Sequence, residues 1–151
     1  MTATDEAPDG RDAAHQIPDE VSQQTVEALG RLSEALETVE RARGHLYTFH
    51  QLTGTADIQL QGAVEALREA GHADTADRLD AELVGRNVLS GRWTFQVVED
   101  YDDSYWSLFR DLERQAREQH AGGRRHLYEA QMKERERSAG RPGHEGTPDE
   151  T

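Results

Sequence analysis

Apolar residues recur along this chain at steps of three and four, and there is no strand-like alternation with polar ones. That period belongs to α-helices with one buried face. Pro18, Asp19 and Glu20 form a helix-start signal: proline suits a first turn, and acids suit its positive end. A first helix is expected over 18–52, with Leu29, Leu32, Leu36, Val39 and Leu46 as its stripe and Gly54 as its stop. Two positions in that series are polar, Arg43 and His50, so both project from the apolar face. Thr55 is expected to cap a second helix carrying Leu60, Val64 and Leu67, which Gly71 ends. A short third helix starts at Asp74 or Thr75 and carries Ala76, Leu79 and Leu83.

The fourth helix begins near Gly91 or Arg92. Its stripe is Phe95, Val98, Tyr101, Tyr105, Leu108, Phe109 and Leu112. Asp102 falls inside the edge of that face, Glu99 is intermediate, and Asp100 and Asp103 fall outside it. The phase continues through Ala116, Gln119, Gly123, Leu127 and Ala130, so the helix is expected to cross Gly122 and Gly123 unbroken and run to about Arg137. The fold class predicted is all-α. A long antiparallel hairpin of the first and fourth helices has two short helices covering one end, an elongated four-helix arrangement.

Composition narrows this further. Apolar residues are 34% of 151, and the shortfall lies at the ends. Residues 1–17 are expected to be a disordered acidic tail and 138–151 a second disordered tail, flanking a single helical domain over 18–137.

The net charge of −13 repels phosphate backbones and anionic lipid, so no nucleic acid and no membrane partner is expected. A basic protein partner suits it. With no cysteine, disulfides and thiolate chemistry are excluded. The N-terminus lacks a basic start followed by an apolar run, so no export signal is expected and the cytoplasm is the expected location.

Candidate chemistry gathers where the hairpin brings the end of the first helix to the start of the fourth. Arg43, His50 and Asp102 would meet there, with Glu82 and Tyr101 nearby. Read as function, this is a polar centre, either an acid/base pair or a divalent-metal site of His50, Glu82, Glu99 and Asp102. Read as structure, it is a buried ion-pair network that fixes helix register. Structural ion pairs also cluster polar residues, so the second reading is preferred. Trp93 and Trp106, with Asp100 and Asp103, form a candidate interaction surface, because tryptophan is favoured at interfaces.

No phosphate-binding loop, paired-histidine zinc helix or serine elbow occurs, so neither a catalytic residue nor a cofactor is indicated. The expected function is a non-catalytic interaction or assembly module that self-associates as a homo-oligomer. Leu29, Leu32 and Leu36 would otherwise face only Ala116, Gln119 and Gly123, a thin surface. The alternative is a metal-binding helical bundle, or an enzyme, with a His/carboxylate site between the long helices.

Overall fold

The computed structural model describes residues 9–147, and among them the chain is all-helical with no strand. Helix α1 spans Gln23–Glu69, α2 Ala73–Glu82 and α3 Thr94–Tyr101. A π-helical turn, Asp102–Trp106, leads into α4, Ser107–Ala121, and α5 spans Leu127–Glu136.

Helix α1 starts later and ends later than its sequence signals suggest. Ser22 is the effective cap: its hydroxyl accepts the Thr25 N–H at 3.1 Å, while Pro18 and Val21 close a separate turn at 2.9 Å. Gly54 does not stop the helix, and Thr55 does not cap a new one. The Thr53 and Thr55 hydroxyls donate back to the carbonyls of Phe49 (2.8 Å) and Gln51 (3.1 Å), as threonines inside a helix do. One glycine costs a helix about 1 kcal/mol, too little to break one anchored on both sides. The stop is Gly71, at φ +87°, where the His72 N–H reaches the Leu67 carbonyl at 2.9 Å.

Gly122 and Gly123 do break the later helix. Both lie in the left-handed region, at φ +60° and +77°, so α4 ends at Ala121 and α5 restarts at Leu127. The expected continuity fails because apolar phase is preserved by two helices in succession as well as by one.

The π-helical turn makes the larger correction. It holds one residue more than an α-helical turn, so every side chain beyond it is rotated by about one position. Val98 is buried and Tyr101 and Phe109 are half-buried, as the stripe requires. Tyr105, Leu108 and Leu112 are exposed instead, Leu112 at 53%. Their inward places go to Trp106, which is half-buried, and Glu113, which is 7% exposed.

The chain divides into two compact units, Thr38–Leu108 and the remainder. In the remainder the core is Val26, Ala121 and Leu127, with Ile17, Val21 and Leu29 packed against it. Gly30 of α1 lets Tyr128 of α5 approach closely: a Cβ at Gly30 would lie 3.0 Å from the Tyr128 Cβ. Gln23 and Gln131 exchange amide hydrogen bonds of 3.1 and 2.8 Å. Glu113 accepts from Arg117 Nε at 3.1 Å and from Ser33 Oγ at 3.3 Å.

Residues 1–8 and 148–151, within the two tails expected to be disordered, lie outside the described residues. Nearer the core, Arg124 donates to the Ala13 and Gln16 carbonyls, both at 2.6 Å, and Thr147 Oγ1 donates to the Gly10 carbonyl at 2.9 Å. In the other unit Val64, Ala76 and Val98 are buried, one each from α1, α2 and α3.

Candidate functional site

The polar centre lies wholly within Thr38–Leu108. Arg43 leaves α1 and meets Asp102, the first residue of the π-helical turn. Arg43 Nε donates to Oδ1 at 2.7 Å and its terminal NH2 group to Oδ2 at 2.9 Å, a bidentate pair. The guanidinium carbon also lies 4.3 Å from the centre of the Trp106 ring and 6.0 Å from that of Tyr47. Asp102 opens the π-helical turn and Trp106 closes it, so one local irregularity supplies two of the partners of Arg43. The side chains are 28% and 21% exposed. Hydrogen bonds from Arg43 hold the Asp102 carboxyl below its ordinary range, against a smaller opposing effect of desolvation. The same pairing raises Arg43.

His50 belongs to a different contact. Its Nδ1 lies 2.8 Å from Thr94 Oγ1 at the start of α3, and its ring meets Tyr47 edge-on at 5.8 Å. The structure therefore brings Arg43 to Asp102 and His50 to Thr94; the expected meeting of His50 with Asp102 gives way to these two separate pairs. Both lie along α1, two turns apart, and Tyr47 touches each.

The other expected members stand elsewhere. Glu82 accepts from Arg78 on the exposed side of α2 at 3.2 Å. Tyr101 packs on Tyr105, with ring centres 5.8 Å apart. Glu99 and Asp103 are exposed, and Asp100 accepts from Arg92 Nε at 2.6 Å. Among the described residues no three His, Asp or Glu side chains are grouped to hold a metal ion. His50, Glu82, Glu99 and Asp102 are thus not brought together as a ligand set. Of the two tryptophans, Trp93 is exposed at the start of α3, its backbone N–H donating to Gln96 Oε1 at 3.0 Å, whereas Trp106 lies under Arg43.

Chemically, a carboxylate with both oxygens bonded to one guanidinium is a poor proton acceptor. What the arrangement does well is fix α1 against the π-helical turn.

Two features escaped sequence reasoning. Glu113 sits one position from the predicted stripe; its i, i+4 spacing to Arg117 was the available signal, and the apolar Leu112 beside it concealed the burial. The second is a cleft of about 660 Å³ between α1 and the segment linking α2 to α3. Its apolar lining is Ala56, Leu60, Leu83, Val88 and Trp93.

Comparison with family models, curated proteins and solved structures finds no match. Among the described residues no helix is long and apolar enough to cross a membrane.

Proposed function

We propose that the chain is a non-catalytic helical module that works by associating with copies of itself in the cytoplasm. One observation carries this reading. Among the described residues the buried hydrophobic side chains are Val26, Val64, Ala76, Val98, Ala121 and Leu127, nearly all small, while larger ones such as Leu52, Ile58, Leu89, Trp93, Leu108 and Leu112 stand exposed. Apolar area left in water at that scale is a drive to associate. Within each unit the pairings run antiparallel: Arg43 with Asp102 and His50 with Thr94 in one, Gln23 with Gln131 and Ser33 with Glu113 in the other.

Sedimentation equilibrium over micromolar to near-millimolar protein tests the reading. A mass that rises above the monomer with concentration is expected; a strictly monomeric mass throughout overturns it. A basic protein partner is a second reading, favoured by the charge of −13. Its complexes would weaken as salt is added, by screening of opposite charges.

A further inference from the structure

Resting on the self-association reading, we infer that the cleft between α1 and the α2–α3 segment is the surface through which two copies meet. The cleft is built by residues within two stretches, 44–64 and 83–98. These are the charge-poor parts of an otherwise highly charged chain. Over 44–64 the only acid or base other than histidine is Asp57, and over 83–98 there are only Arg86 and Arg92. Two arginines against one aspartate leave this region at +1, in a chain whose net charge is −13.

That distribution selects the occupant. Two copies at −13 repel each other wherever acids face acids. They close with least of that cost over a surface poor in acids, and the cleft, whose one lining acid is Asp57, is such a surface. A basic partner would find a single carboxylate there. Asp57 is already committed, its Oδ1 to the Gly85 N–H at 2.9 Å and its Oδ2 to Gln61 Nε2 at 3.0 Å. Arg92 is committed to Asp100. Arg86 donates to the Glu82 carbonyl, at 3.4 Å.

The apolar content points the same way. Leu83 and Trp93 are exposed at the cleft, and Leu89 lies exposed in the same connecting segment. A cleft lined by leucines and an exposed tryptophan has the composition of an interface centre. A twofold arrangement needs one patch that is complementary to itself, and a charge-poor cleft with an exposed indole in its lining meets that need.

The experiment is sedimentation equilibrium on the full chain, at about 50 mM and about 500 mM salt. Screening of like charges should tighten this dimer at the higher salt, the reverse of a basic-partner complex. Leu83→Glu and Trp93→Glu should each weaken the dimer about tenfold or more. Ala35→Glu, at an exposed position of α1 outside the cleft, should leave it unchanged.

Because the chain has no cysteine, a gentler variant gives an independent readout. Asn87→Cys, at the cleft lining, introduces a single thiol that should react with a maleimide more slowly as protein concentration rises into the dimer range. Dimers that persist in both glutamate variants of the cleft, or a labelling rate of the thiol variant that is independent of concentration, would overturn the cleft as the interface and leave self-association standing. A monomeric wild type would remove the broader reading itself.

Discussion

Leu112 stands in solvent while Glu113, its neighbour in the chain, is buried against Arg117 and Ser33. An α-helix drawn straight through 94–121 would reverse the two. The π-helical turn at Asp102–Trp106 supplies the difference, and their energetic roles should follow burial rather than residue type.

Replacing Glu113 with alanine leaves the Arg117 guanidinium, itself only 14% exposed, without its carboxylate. A loss of about 3 kcal/mol or more is expected, since breaking a buried pair by removing one partner is far costlier than its net worth. Leu112→Ser should stay within about 0.5 kcal/mol. Urea unfolding of the two variants checks the contrast, which would be inverted if the face were the regular one.

The Arg43–Asp102 pair has a pH signature. The carboxyl of Asp102 is lowered in the folded chain relative to the unfolded one, so its contribution is fully present above the unfolded value, about 3.9, and is lost as pH falls through the lower folded value. Wild type should therefore exceed Asp102→Asn in stability at pH 7, with the gap closing below about pH 4. Denaturant midpoints of both proteins across that range provide the measurement. A gap that is constant down to about pH 2 would assign the effect to something other than ionisation.

Glycines on α1 should respond oppositely according to their surroundings. A Cβ at Gly44 or Gly62 meets nothing within 4 Å, so alanine there should add about 0.5–1 kcal/mol through helix propensity. At Gly30 the same methyl meets Tyr128 at 3.0 Å, and crowding should outweigh propensity, for a net loss of about 1 kcal/mol. Melting temperatures of the three single variants give the signs directly.

The π-helical turn carries its own test. Since it amounts to one additional residue in a helix, deleting Ser104 should restore an ordinary α-helical turn while keeping both flanks in their present orientation. The deletion is expected to fold with unchanged helical content by circular dichroism. Deleting Gln115 from the regular part of α4 should rotate the following residues out of register and lower the melting temperature markedly.

These contrasts mark where the sequence was legible. Helical class, the inward positions of Arg43 and Asp102, and the stop at Gly71 were all visible in periodicity and punctuation. The π-helical turn was not: Asp102, Asp103, Ser104, Tyr105 and Trp106 contain no residue that demands a wider turn, so a period of about 3.6 was carried through them. Two local signals in the sequence have two meanings each. Thr55 can cap a helix or bond back within one, and Gly54 can end a helix or be tolerated inside it; the surrounding chain decided both. Periodicity puts His50 on the apolar face, but a face is about 100° wide, and Thr94 is the residue its Nδ1 meets.

The centre around Arg43 also discriminates between the two basic amino acids. A flat, forked head can offer two parallel donors to a carboxylate along its edge while lying flush on an indole. An ammonium, compact and tightly hydrated, supplies one of these at a time. Position 43 should therefore refuse lysine even though the charge is conserved, and what it reads is molecular shape.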